Sequence, residues 1–165
     1  MPDDLMLRMQ HYQFAARALP AMVFREPEGI LRLLAGADRD RFLADIWTRT
    51  GAELGIEGSA GLPPTGAVHD LGTGHHAVVV TMPAPENAAE AHFVAIAFRP
   101  GNAAQGDRVK RPDVRYFALE RSGFSEGPPI TMLCEWTRDG THINRGVGPA
   151  ATVEAFLKAL VEHLD

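Results

Sequence analysis

His69, Asp70, His75 and His76 are the densest cluster of titratable side chains in the chain. A tight turn over Leu71–Gly74 would bring His69 or Asp70 close to His75. The set His69, Asp70 and His75 would then offer two imidazoles and a carboxylate, a donor mix that zinc or iron accepts. The same neighbourhood suits proton transfer. Asp70, His75 and His76 form the catalytic set if the chain is an enzyme, because histidine titrates near neutral pH. Adjacent residues on a strand point to opposite faces, so His75 and His76 cannot easily serve one ion together. The plainer reading is two loop-edge histidines, one exposed and one capping the core, with no metal and no cofactor.

Other motifs lack the context their chemistry needs. Gly123-Phe124-Ser125-Glu126-Gly127 matches the G-x-S-x-G of serine hydrolases, which places serine on a sharp turn between a strand and a helix. Here Pro128-Pro129 and then a strand follow, so a glycine-rich loop is expected. Gly72-Thr73-Gly74-His75-His76-Ala77 resembles a dinucleotide fingerprint but runs into Val78-Val79-Val80, a strand where the fingerprint requires a helix. The segment Arg99–Pro112 is long for a hairpin connection, and loops beyond about 12 residues are usually functional or disordered. Its Arg108, Lys110 and Arg111 are the expected binding residues, suited to an anionic group or an acidic partner. Glu135 and His142 could form an acid–base pair across a hairpin, though such cross-strand polar pairs are mostly solvated. Cys134 shares a face with Met132 and Trp136, which makes it a small buried hydrophobe.

The elements that must position these residues fall into two groups. The first sixty residues read as helical. Leu5, Met9, Tyr12, Ala16 and Leu19 recur at spacings of three and four, and Pro20 ends or kinks that helix. A short helix is expected over Pro27–Leu34 and a longer one from Asp38, as N-cap, to Leu54, with Gly55 in the left-handed position beyond its end. Gly58–Gly66, containing Pro63-Pro64, reads as a linker.

Strands follow. They are expected at His76–Met82, Ala91–Phe98, Val114–Arg121 and Ile130–Arg138, with a further one from Thr141. Ala91–Phe98 is apolar on both faces, as in a central strand covered on both sides, and its Ala91, Ala95 and Ala97 would let a helix approach closely. Asp139-Gly140 fits a two-residue type I′ turn. That register pairs Trp136 with Ile143 and Met132 with Val147 on one face, and Thr137 with His142 and Glu135 with Asn144 on the other. The last helix is expected to start with Pro149 in its first turn and to carry an apolar stripe of Val153, Phe156, Leu157, Leu160, Val161 and Leu164.

The fold class is therefore α+β: a mostly antiparallel meander of about five strands, with N-terminal helices and a C-terminal helix packed on the sheet. One domain is expected, divided as a helical layer (1–57), a linker (58–66), the sheet (67–148) and the final helix (149–165). At 165 residues and 45% hydrophobic, the chain is too apolar for disorder and has no apolar run near the roughly 20 residues that span a bilayer.

Sixteen basic side chains against 21 acidic ones leave a net charge of −5, which argues against nucleic acid as a partner. The charge is uneven: residues 99–121 hold six basic and three acidic residues, +3, so the remainder is −8. The acidic start Met1-Pro2-Asp3-Asp4 lacks the basic region of a secretory signal, so a cytoplasmic location and a reduced Cys134 are expected. Function is expected to be non-catalytic: a protein-binding, adaptor or chaperone-like role, with another protein or itself as partner and no membrane. Apolar residues on more than one side of the first helix (Leu5, Met6, Leu7, Met9, Tyr12, Phe14) would serve a homodimer. The alternative is a small enzyme or small-molecule-binding protein with its histidine site near residues 69–76.

Overall fold

Six strands pair in sequence order into one antiparallel sheet, β1 (Thr65–Asp70), β2 (His76–Met82), β3 (His92–Arg99), β4 (Asp113–Ser122), β5 (Ile130–Trp136) and β6 (His142–Val147). A computed structural model describes residues 2–56, 63–82, 92–99, 113–122, 130–147 and 152–164. Side chains alternate across a strand, and here both faces are apolar. Val78, Val80, Met82, Val94, Ile96, Tyr116 and Trp136 face the N-terminal helices: α1 (Pro2–Tyr12), a π-helical segment (Gln13–Ala18), α2 (Leu19–Arg25), α3 (Pro27–Ala35) and α4 (Arg39–Glu53). Ala77, Val79, Phe93, Ala95, Ala97, Phe117 and Leu133 face α5 (Val153–Val161). The α+β class and the helical layers stand as expected, with six strands where the sequence suggests about five. No helix among the described residues is long and apolar enough to cross a membrane.

The helical layer departs from the expected stripe. Leu7, Phe14, Leu19 and Val23 are buried, whereas Met9 and Tyr12 are 44% and 51% exposed. The cause is the π segment, in which Leu19 N donates to Phe14 O, five residues back. One extra residue per turn rotates everything after it by roughly 100°, so a stripe extrapolated through it loses phase. Pro20 does not end the helical run; it sits buried in the first turn of α2. The next bond in the π register would join Ala15 O to the nitrogen of residue 20, which as proline has no hydrogen. Tyr116 Oη, from the sheet, donates to Ala15 O at 2.5 Å instead.

α4 ends as expected. Gly55 has φ +76°, Ile56 N donates to Gly51 O and Gly55 N to Ala52 O, the paired bonds of a Schellman motif. Its start differs: Asp38 makes no side-chain capping bond, because at φ −88°, ψ 9° it lacks the extended conformation that aims a cap at the first-turn amides. Residues of α4 also guard the outer edge of β1. Arg39 Nε donates to Gly66 O (2.8 Å) and Gly66 N donates to Asp40 Oδ1 (3.1 Å), occupying backbone groups that an edge strand otherwise exposes.

The β5–β6 hairpin also corrects the expected register. Only Gly140 takes a positive φ (+88°), and Asp139 does not. Its carboxylate accepts from the Thr137 hydroxyl and the Thr141 amide, and Thr137 N donates to Thr141 O at 2.8 Å. The loop therefore holds three residues, and the pairing next to it slips by one: Trp136 opposite His142, Glu135 opposite Ile143, Cys134 opposite Asn144. A bulge then makes Arg145 the extra residue and restores the expected pairing of Met132 with Val147.

α5 begins later than expected, at Val153. Thr152 is its N-cap, extended at φ −129° and ψ 156°, with its side chain accepting from Ala155 N at 3.1 Å; Pro149 lies outside the described residues. Phe156, Leu160 and Leu164 are buried on the sheet, Phe156 stacked on Phe93 at 5.6 Å. At roughly 1.5–3 kcal/mol per buried large apolar side chain, these three anchors give about 4.5–9 kcal/mol before ordering costs are subtracted. That margin is thin for a nine-residue helix, so polar ties at its end count.

Candidate functional site

The turn between β1 and β2 forms as a tight loop. Leu71 N donates to His75 O (3.0 Å) and His75 N to Gly72 O (2.9 Å), while Gly72, Thr73 and Gly74 take φ values of 72°, 52° and 78°. A β-branched residue in the left-handed region is strained, and Thr73 is held there by a 3.1 Å contact between its hydroxyl and His75 Nδ1. Asp70 is spent on the turn, its carboxylate accepting from Gly72 N at 2.9 Å. The dinucleotide-like glycines thus make a turn into a strand.

Strand alternation then divides the titratable residues. Asp70 and His76 are cross-strand partners on the helical-layer side, where His76 packs on Phe98 at 5.7 Å. His69 pairs with Ala77 on the α5 side, and His75, 5% exposed, meets Arg99 there, Nη2 to Nε2 at 3.1 Å. Neither Asp70, His75 and His76 nor His69, Asp70 and His75 converge on one point. Among the described residues, no group of three or more His, Cys, Asp or Glu side chains is placed to hold a metal ion. Arg108, Lys110 and Arg111, and the Gly123–Gly127 motif, lie outside the described residues.

A second polar group, at the β5–β6 edge, is the better organised one. Glu135 is 9% exposed on the α5 face. Arg115 Nε and Nη2 donate to its two oxygens at 2.9 and 3.0 Å, and Arg145 donates from Nε at 2.8 Å and Nη2 at 2.6 Å. Burial pushes this carboxyl upward, but the two guanidiniums outweigh burial and hold it below the ordinary glutamate value. The bond from Glu135 in turn keeps the Arg115 guanidinium more firmly protonated. Arg115 Nη1 also donates to His163 O at 2.6 Å, just past the C-terminal end of α5, where a positive charge meets the negative end of the helix dipole. Its guanidinium lies 5.2 Å from the Phe117 ring. The cluster ties β4, β5, β6 and α5 together.

The slipped register decides which β6 residues join the cluster. Glu135 and His142 do not pair, because Glu135 faces α5 while His142 packs on Trp136 at 5.1 Å on the opposite face. Cys134 is buried as expected, on the Trp136 side.

Beside the cluster the sheet opens. The β4–β5 pairing stops at Tyr116 opposite Trp136, and beyond that pair the strands fork around a cleft of about 270 Å³. Phe24 from α2 and Pro27 from α3 form its apolar wall with Val114 and Trp136, and Asp113 and Arg138 stand at its polar rim. Arg99, opposite Asp113, and Arg145, on Glu135, lie around the same end of the sheet. Arg99, Arg115, Arg138 and Arg145 against Asp113, Glu135 and Asp139 leave the β3–β6 part of that end at +1 in a chain of −5. Sequence reading found the positive bias of residues 99–121 but not Arg138, Arg145 or the cleft, which join residues about 20 to 110 positions apart. Comparison with protein-family models, with curated proteins and with solved structures finds no match for this chain.

Proposed function

We propose that this chain is a non-catalytic protein-binding module, and that the cleft at the β4–β5 fork is where an acidic partner docks. The observation that carries the reading is the cleft's size together with its lining. At about 270 Å³ it falls just under the roughly 300 Å³ at which enclosing small-molecule sites begin. It suits a side chain or chain end of a larger partner better than a cofactor-sized ligand. Tryptophan and arginine, the residues that dominate interface energetics, stand at its wall and rim as Trp136 and Arg138. The local excess of positive charge favours an acidic surface. A catalytic role for the turn at 69–76 draws less support, since Asp70 is engaged in the turn and His75 faces away from His76.

The test is retention of partners from a lysate of the source cells on immobilised full-length chain, wild type against Arg138→Glu. The reading expects at least one protein that is held by wild type, lost on charge reversal, and eluted by raised salt. Identical retention on both, with circular dichroism unchanged, would remove the cleft as the docking surface.

A further inference from the structure

The fork has a blind end, and that limits what can enter it. Thr137 turns its amide toward β6, donating to Thr141 O, so by antiparallel alternation Trp136 turns its main-chain groups toward β4. The same alternation aims the main-chain N–H and C=O of Val114 into the opening. Among the described residues it has no backbone partner there. An entering strand could pair with Val114 alone before meeting the closed Tyr116–Trp136 rung, so a strand running through is excluded and a chain end fits. Trp136 Nε1 is shut off from solvent with no hydrogen-bond partner, whereas Arg138, at the rim, is exposed and makes no ion pair among the described residues. Arg115, by contrast, is already engaged by Glu135 and His163.

Resting on the protein-binding reading above, we propose that the cleft captures the free C-terminus of an extended peptide. The terminal carboxylate lies on the Arg138 guanidinium, the last peptide unit pairs with the main chain of Val114, and an apolar last side chain packs against Phe24, Pro27 and Trp136. Terminal carboxylates are commonly held by such a combination of backbone groups and a cation, and the charge-assisted contact is the strong one. The +1 balance around the cleft favours an acidic residue near that end.

The full-length chain would be titrated by calorimetry with three probes: an acetylated tetrapeptide of alanine, aspartate, alanine and leucine with a free carboxylate, the same peptide amidated, and the free acid ending in glycine. The free acid ending in leucine should bind about tenfold more tightly than either of the others, a difference of one charge-assisted contact or one buried side chain. Arg138→Ala should cut its affinity by about tenfold and leave the amide unchanged; the site is an exposed loop position, so the fold is retained. Equal binding of acid and amide, or an Arg138→Ala variant that weakens neither selectively, overturns terminal capture. So does absence of binding by every peptide at millimolar concentration. Loss of lysate partners in Arg138→Glu alongside any of these results would leave the broader docking reading standing, and identical retention would remove both.

Discussion

Replacing Tyr116 by phenylalanine isolates one bond on which the join between the sheet and the helical layer depends. Tyr116 is fully buried, and its hydroxyl is the donor to Ala15 O, the carbonyl that the π register leaves facing the ring nitrogen of Pro20. Phenylalanine keeps the ring and its contacts, including Phe24 at 6.3 Å, so the apolar contribution hardly changes. What changes is that a part-buried carbonyl loses its partner, at about 1–3 kcal/mol. At roughly 2–4 °C per kcal/mol for a chain of this length, the melting temperature should fall by roughly 2–12 °C. Urea unfolding followed by circular dichroism gives the free energy directly.

The decisive version is a double-mutant cycle with Pro20→Ala. Alanine supplies the amide hydrogen that residue 20 lacks, so Ala15 O gains a donor within the helix. The cost of Tyr116→Phe should then shrink by about 1 kcal/mol or more in the Pro20→Ala background. Any cavity or backbone-entropy effect of Pro20→Ala itself drops out of the cycle. Additivity within about 0.5 kcal/mol would refute the claim that proline orphans this carbonyl and tyrosine satisfies it.

Four further outcomes follow from the same geometry. Burial raises the Tyr116 hydroxyl well above its ordinary value of 10, so its contribution is complete below that pH and is lost as pH climbs through the higher folded-state value; an alkaline unfolding curve should flatten in Tyr116→Phe. Glu135→Ala leaves the Arg115 and Arg145 guanidiniums facing each other and should cost about 2–4 kcal/mol, between exposed and fully buried pairs, read in urea unfolding. Because the Glu135 carboxyl is held below its ordinary 4.5, its contribution is present above that pH and fades as pH falls through the lower folded-state value; acid unfolding of Glu135→Gln should lack that component. Gly66→Ala places a Cβ 2.8 Å from Arg39 Cδ and 3.1 Å from Leu43 Cδ1; overpacking of about 1–3 kcal/mol should exceed the 0.5–1 kcal/mol gained by removing a strand glycine, with amide exchange in β1 accelerated.

Local signals account for what was legible in the sequence. β2 matches its expected bounds, and the Ala95 and Ala97 face of β3 receives α5. The left-handed Gly55 and the α3 helix also stand where their short-range patterns put them. The misses have a common cause in interactions that cross the chain. β1 reads as Thr-Gly-Ala-Val-His-Asp, half polar and largely exposed, and nothing in those six residues announces that Arg39 and Asp40 of α4 will hold its edge. The Met9–Tyr12 stripe fails because a period of 3.6 was carried across a π segment, whose only trace in sequence is a proline at position 20.

The charged cluster shows how small the deciding local term can be. A two-residue turn and a three-residue loop differ by one residue, and Asp139-Gly140 is compatible with both. The hydroxyl of Thr137 and the amide of Thr141, both engaging the Asp139 carboxylate, favour the longer loop. That choice turns Glu135 away from His142 and Asn144 and sets it opposite Ile143. The bulge at Arg145 then restores the register farther along, leaving an extra arginine on the face where Glu135 already holds Arg115. Arg145 joining Arg115 on the buried Glu135, and Arg138 placed in the loop at the mouth of the fork, follow from that single extra loop residue. A Gly140→Ala variant, forced off φ +88°, should therefore disturb more than the turn. If the loop sets the register, solution NMR would show the Arg145–Glu135 contact weakening together with the Thr137–Thr141 pair, while Arg115–His163 persists. An unchanged Arg145–Glu135 contact would mean the bulge forms independently of the turn.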